Sequence, residues 1–245
     1  MAQPAAKIRL FVNTVLGPDA AVALTREQAH YLFSVMRRSV GERILLFNGH
    51  DGEWLAEIEE AGKRGGRLLC RDQTQAQLEP PDLWLLFAPL KKARTDLVAE
   101  KAAEMGCRRL IPVFTRHTNS ERVNRARLVA HAVEAAEQCG LVSVPEVADP
   151  TTLDAVLDRW PAERRLVFCD ESGAGKPAAT ALAGVQSGPV AVLIGPEGGF
   201  APEEAQKLRA LAHTTSISLG PRILRADTAA VAALAVVQSS LGDWR

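Results

Sequence analysis

No apolar run in this 245-residue chain approaches the roughly 20 residues that span a bilayer. The first residues, Met1–Arg9, hold no apolar stretch of the kind a secretory signal needs. Cysteine is scarce and scattered. Cys70, Cys107, Cys139 and Cys169 nowhere approach a CxxC spacing, which leaves zinc and dithiol chemistry without support and predicts buried, reduced thiols. Net charge is missing too, since 29 Lys and Arg balance 29 Asp and Glu. A protein that coats nucleic acid wholesale wants a strongly basic domain, so that class is excluded, while local basic patches are not. Internal repeats and low-complexity tails are also absent. The expectation is a soluble cytoplasmic protein with no membrane partner and no metal.

Two nucleotide motifs are lacking as well. A dinucleotide fold places GxGxxG after its first strand, but Leu83–Ala88 is followed by Pro89-Leu90-Lys91-Lys92. Gly173-Ala174-Gly175-Lys176-Pro177 hints at a phosphate loop, yet Asp170 stands where the first glycine belongs and Pro177 where Ser or Thr belongs. It reads as a flexible loop.

What is present is an ordinary globular composition, 47% hydrophobic and 24% charged, long enough to bury a core without staples. Its organisation changes partway along. In the first part, Thr25–Met36 is a predicted helix opened by Thr25 with Gln28 three residues on, a capping box. Short apolar runs Ile8–Val12, Arg43–Phe47, Glu53–Ile58 and Arg67–Arg71 are strands, and Asn48–Gly52 supplies a hairpin loop. Several short strands with one helix predict a small β-barrel. Gln73–Asp82, ending in Pro80-Pro81, is the linker. The predicted domains are therefore 1–75 and 80–245.

Beyond the linker the pattern alternates. Leu83–Ala88, Leu110–Phe114, Leu166–Cys169, Val190–Ile194 and Ile217–Leu219 are buried strands. Helices are predicted over Thr95–Met105, Asn124–Cys139, Thr151–Trp160, Glu203–Ala212 (opened by Pro202) and Thr228–Leu241. This is the pattern of an α/β domain with a parallel sheet covered on both faces. Basic clusters at Arg37–Arg38, Lys63–Arg67, Lys91–Arg94, Arg108–Arg109 and Arg116–Arg127 are solvated faces unless the fold gathers them.

Ligands of open α/β sheets sit beyond the carboxyl ends of strands. Two loops there carry chemistry. Gly195-Pro196-Glu197-Gly198-Gly199-Phe200 lies between a strand and a helix start, where glycines admit a close ligand and free N–H groups favour an anionic one. Leu219–Thr228 contains Gly220-Pro221 and two arginines, Arg222 and Arg225, able to hold phosphate or carboxylate. Asp227 or Thr228 is placed to cap the last helix.

These residues resemble the RsmE family of the SPOUT superfamily, 16S ribosomal RNA uridine N3-methyltransferases. The likeness rests on Ile194-Gly195-Pro196-Glu197-Gly198-Gly199 and Leu219-Gly220-Pro221-Arg222-Ile223-Leu224-Arg225, with Glu134–Gly140 and Val144-Pro145-Glu146 as a middle motif. Gly41–Glu57 looks like the family's PUA-like barrel. The resemblance implies a SPOUT-type domain with a deep trefoil knot, S-adenosylmethionine bound among the knot loops, and a homodimer with cofactor pockets at its interface. It implies 16S rRNA, within the 30S subunit, as substrate. The cofactor set would be Ile194, Gly195, Pro196, Glu197, Gly198, Gly199, Leu219, Gly220, Arg222, Ile223, Leu224, Arg225 and Thr228. Arg222 and Arg225 would stabilise a developing uridine anion and Glu197 would take its proton. Two departures stand out: Ala226-Asp227-Thr228 replaces the usual Thr-Glu-Thr, and Leu141 stands where most members have Arg. Alternative readings are a knot methyltransferase acting on another RNA site and a non-catalytic RNA-binding protein of the same fold.

Overall fold

A computed structural model describes residues 6–120 and 122–244. Met1–Ala5 of the signal reading, Glu121 of the Arg116–Arg127 cluster and Arg245 lie outside the described residues. The chain forms two compact units. One comprises Met1–Glu79 with Ala136–Val144, the other Pro80–Ala135 with Pro145–Arg245.

The first unit contains β1 (Arg9–Phe11), β2 (Ala21–Ala23), α1 (Arg26–Ala29), β3 (Arg43–Phe47), β4 (Glu53–Gly62) and β5 (Gly65–Gln75) in a sheet of order β1-β3-β4-β5-β2. The hairpin of β3 and β4 forms as predicted, pairing Arg43 with Glu57 and Phe47 with Glu53. Register shifts along β4 and β5 mark bulges, which bend a sheet. β1 and β2 share no ladder. α1 sits at that opening, where Gln28 Nε2 donates to the Phe11 carbonyl at 3.0 Å. The capping box is made in full, Thr25 and Gln28 each accepting from the other's backbone N–H. From His30 to Val35 the helix widens to a π-helix, a departure from the uniform helix predicted. β5 runs to Gln75, so the linker starts later than expected. Leu32, Ile44, Leu46, Ile58 and Leu68 are fully buried, each burial contributing about 1.5–3 kcal/mol.

Ala136–Val144 joins this unit through Arg9. Its guanidinium donates to the carbonyls of Ala136 (2.6 Å), Glu137 (3.2 Å) and Leu141 (2.7 Å), and to the Glu53 carboxylate at 2.6 Å. The Ala136 and Glu137 carbonyls are among the last four of α3, which a helix end leaves without intrahelical partners, and Leu141 lies just beyond that end. Glu137 returns a bond by accepting from Phe11 N–H at 2.9 Å.

The second unit opens with β6 (Leu83–Phe87), α2 (Lys92–Glu104), β7 (Arg109–Phe114), α3 (Arg125–Cys139), β8 (Glu146–Val147), β9 (Thr151–Thr152) and α4 (Leu153–Leu157). It continues through β10 (Arg165–Cys169), β11 (Lys176–Pro177), α5 (Ala178–Leu182), β12 (Val190–Ile194), α6 (Pro202–Ala210), β13 (Thr214–Ser218) and α7 (Ala226–Leu241). The strands are all parallel, in order β11-β13-β10-β12-β6-β7-β8, with β9 beside β7. Strand periodicity of two explains the continuous apolar runs. Leu83, Leu85, Phe87, Val190, Val192 and Ile194 pack on one face with α2, α5 and α7. Leu86, Ala191, Leu193, Leu166 and Phe168 pack on the other with α4 and α6.

Three expectations need correction. The helix predicted over Thr151–Trp160 is only Leu153–Leu157, with Thr152 accepting from Ala155 N–H. The strand predicted at Ile217–Leu219 is Thr214–Ser218, so Leu219 already belongs to the loop. α7 starts at Ala226 with Arg225 as its N-cap, and neither Asp227 nor Thr228 caps it. Asp227 lies inside the first turn, where a carboxylate complements the helix dipole, and pairs with Arg94 at 3.4 Å. Of the cysteines, Cys70, Cys107 and Cys169 are buried, but Cys139 is exposed at the end of α3. Among the described residues no helix is long and apolar enough to cross a membrane, and no cluster of His, Cys, Asp or Glu is placed to hold a metal.

Candidate active site

β10, β12 and β13 are neighbours in the sheet and end together, so the loops that follow them meet. The first loop begins at Asp170, whose carboxylate is almost wholly buried. Arg209 of α6 grips it with a fork at 2.7 and 3.0 Å, and Ser172 donates from its hydroxyl at 2.6 Å and its N–H at 3.0 Å. Burial alone would raise this acid's pKa. The Arg209 and Ser172 bonds outweigh it and hold the carboxyl below its ordinary value. The residues that lead into the Gly173–Pro177 loop are thus pinned.

Glu171, next in line, accepts from Phe200 N–H at 2.7 Å and ties the first loop to the second. That second loop, Gly195–Ala201, turns on a bond from Gly199 N–H to the Pro196 carbonyl at 3.0 Å. Gly199 has φ +71, and a side chain there would start 2.6 Å from Glu171 Oε1. A side chain on Gly195 would strike the Phe200 ring at 2.5 Å, and that ring packs edge-on against Phe168. Space thus excludes a side chain at Gly195, and the left-handed backbone disfavours one at Gly199. The third loop, Leu219–Arg225, passes through Gly220 at φ +111, where a side chain would project into open space. Arg222 and Arg225 are exposed here, with no hydrogen-bond or ion-pair partner among the described residues.

Two cavities lie between these loops. One, of about 300 Å³, is walled by Asp170–Gly173 on one side and Leu219–Leu224 on the other. The second, of about 250 Å³, is walled by Ile194–Glu197, Gly199 and Ile223–Ala226. They share Cys169, Glu171, Ile223, Leu224 and Ala229, so they are two arms of one bent site. Burial, with the Glu171 charge adding, pushes the Cys169 thiol up. It serves as an uncharged apolar wall and not as a nucleophile.

Of the residues expected from the sequence, the structure brings Ile194, Gly195, Pro196, Glu197, Gly199, Leu219, Gly220, Arg222, Ile223, Leu224 and Arg225 to this site. Gly198 and Thr228 line neither arm. Gly198 faces His117, whose Nδ1 lies 3.2 Å from the Gly199 carbonyl. Thr228 is carried into the first turn of α7 by the early helix start. Sequence reasoning missed the wall Asp170–Gly173. The signal was available, because Cys169-Asp170-Glu171-Ser172 directly follows a buried strand just as the other two loops do.

A family model described as an RNA methyltransferase domain matches residues 77–238. A second, described as an RNA methyltransferase PUA domain, matches residues 24–68. The ribosomal RNA small subunit methyltransferase E of Rickettsia conorii is 30% identical over 94% of each chain. Among solved structures, a Legionella pneumophila methyltransferase in complex with bound S-adenosylmethionine is 30% identical. It covers 98% of this chain and 100% of its own with a TM-score of 0.87. The ribosomal RNA small subunit methyltransferase E of Neisseria gonorrhoeae, bound to S-adenosylmethionine, is 26% identical, with 97% and 99% coverage and a TM-score of 0.86. The fold and site thus define an RNA methyltransferase domain joined to a PUA domain. The chain belongs to this RNA methyltransferase family, the one that includes the ribosomal RNA small subunit methyltransferases E.

Proposed function

We propose that this protein methylates N3 of a uridine in 16S ribosomal RNA of the small subunit, with S-adenosylmethionine as methyl donor. The observation that carries the reading is the bent, glycine-rimmed site at the ends of β10, β12 and β13, with two unpartnered arginines on its third loop. The residues fit the cofactor. Gly220 leaves open space where any other residue would project a side chain, and Ile194, Leu219, Ile223 and Leu224 supply apolar walls. Backbone groups around Gly195, Pro196, Gly199 and Gly220 would hold the adenosine and amino-acid ends, with Gly198 and Thr228 outside the contact set. When bound, the cofactor supplies an electrophilic methyl group on a sulfonium, so no metal is needed.

The remaining work is positioning and charge. Uridine N3 carries a weakly acidic proton that leaves before the nitrogen attacks. Arg222 and Arg225 stabilise the negative charge that develops on the base, and Glu197, exposed on the second loop, takes the proton. Reaching N3 requires an unpaired or extruded base, and the N-terminal unit supplies the second RNA contact through phosphates and shape.

The proposal includes a trefoil knot of the SPOUT type in the second unit. α7 leaves β13 on the far side of β10 and returns to pack against α2 and β12, a path that supports such threading. It also includes a cytoplasmic homodimer that acts on the 30S subunit. Ile223, 97% exposed at the mouth of both arms, supports a partner subunit covering the site.

The test is incubation of the protein with unmethylated 16S rRNA or 30S subunits and methyl-labelled cofactor, followed by mass spectrometry of the nucleosides. Label in 3-methyluridine is expected. Label in a ribose 2′-O-methyl group, in another base or nowhere would overturn the assignment.

A further inference from the structure

The N-terminal unit carries one arginine in a backbone conformation that its side chain disfavours. Asp19 and Arg37 are the non-glycine residues with positive φ among those described, at +56° and +53°. Aspartate tolerates this region through local hydrogen bonding, whereas arginine has no such aid. Arg37 follows Met36, the C-cap of the π-helix, at the position where a glycine usually ends a helix. The turn is nevertheless firmly made. Met36 N–H donates to the Tyr31 carbonyl and Arg38 N–H to the Leu32 carbonyl, both at 2.9 Å. Glu42 then fastens the following residues, accepting from Arg38 Nη1 at 2.8 Å and from Ser39 N–H at 2.6 Å. Those bonds hold the Glu42 carboxyl below its ordinary value. A strained backbone kept in place by its surroundings points to a use for the side chain.

The Arg37 side chain is exposed and has no hydrogen-bond or ion-pair partner among the described residues. Beside it in sequence, Arg38 lines a surface depression of about 750 Å³ together with Lys7, Gly41, Glu42 and Arg43. Lys7 and Arg43 are exposed and likewise without partners among the described residues. Three cations thus line the depression against one carboxylate, which Arg38 and Ser39 already occupy, and Arg37 adjoins them in sequence. The other basic residues of this sheet contrast with them. Arg67 and Arg71 are neutralised by Glu57, Glu59 and Glu60. Val35 and Val40, 57% and 59% exposed, flank Arg37 in sequence and add apolar contact surface.

We propose that Arg37, Lys7 and Arg43 form the phosphate-gripping face of the N-terminal unit, and that Arg37 is held in its left-handed conformation to present its guanidinium to the RNA backbone. This rests on the proposed rRNA substrate and names the surface that holds it. The occupant is a polyanion whose phosphates accept a fork of two N–H bonds from Arg37 or Arg43 and a single charge-assisted bond from Lys7, and the valines meet sugars or unstacked bases.

Arg37→Gly provides the test, because glycine adopts positive φ freely and removes only the side chain. Its thermal midpoint should equal or exceed that of the wild type, and S-adenosylmethionine affinity by calorimetry should be unchanged. Binding to unmethylated 16S rRNA, measured across a salt series, should weaken roughly five-fold near 0.15 M salt, with the slope of log K against log salt shallower by about one. Adding Lys7→Ala and Arg43→Ala should deepen the loss to roughly a hundred-fold and flatten the slope by about three, while Arg37→Lys should restore most of it. Arg37→Gly with wild-type affinity and slope would overturn the proposal while leaving the rRNA reading intact. A wild-type chain that binds the cofactor and no rRNA would overturn both.

Discussion

Arg225 closes the third loop with an exposed guanidinium and no partner among the described residues, so its removal leaves no buried group unsatisfied. Arg225→Ala should keep the wild-type circular dichroism and thermal midpoint to within about 0.5 kcal/mol while losing turnover. Unchanged methylation by that variant would remove Arg225 from the mechanism. Asp170 behaves in the opposite way. Asp170→Asn deprives Arg209 of its carboxylate and frees the loop that carries Glu171. A cost of about 1–3 kcal/mol is expected, together with weaker cofactor binding. The sign of the pH effect follows from the depressed pKa. The stabilisation is complete above the ordinary aspartate value near 3.8 and is lost as the pH falls through the lower folded value. Acid unfolding of the wild type below about pH 4 should therefore be steeper than that of Asp170→Asn, as urea titrations at stepped pH would show.

At the scale of elements, a buried amide of α7 bonds the chain at the end of α2. Gln238 has no exposed surface, and its Nε2 donates to the Met105 carbonyl at 2.6 Å. Gln238→Ala should cost about 2 kcal/mol by leaving that carbonyl unsatisfied and opening a cavity. A thermal midpoint within a degree of the wild type would show the bond to be dispensable. Gln238 was not visible as important from the sequence, because a lone glutamine in an alanine-rich helix reads as surface. The strands were far more legible. Val190–Ile194 and Leu83–Phe87 follow from unbroken apolar runs because burial on both faces leaves no room for polar residues. What escaped were the two- and three-residue strands β2, β8, β9 and β11, which are too short to show a period. The glycine loops after β12 and β13 were readable because their conformations demand particular residues. The wall from Asp170 to Gly173 had the same signal of position after a buried strand, but its order, which comes from Arg209 thirty-nine positions away, leaves no local mark.

For the whole molecule, the proposed dimer makes Ile223 a residue of two subunits' concern. Ile223→Glu should leave the fold intact, shift sedimentation to the monomer mass and weaken cofactor binding. A dimeric Ile223→Glu protein with full cofactor affinity would refute that placement. Leu141, which the sequence analysis marked as a departure from the family pattern, has its carbonyl engaged by Arg9.

The same bond has a consequence for how the chain is made. The first unit is discontinuous, taking in Ala136–Val144 from far downstream. Synthesis proceeds from the N-terminus at roughly 5–20 residues per second, so the sheet of the first unit emerges on the order of 3–12 s before residue 141 does. Throughout that interval Arg9 lacks its three carbonyls and Phe11 N–H lacks the Glu137 carboxylate. The strands of the nascent sheet are all present before then, but the bonds of Arg9 and Phe11 are completed only when the end of α3 arrives. The first part of the protein to be synthesised is not the first part to be finished.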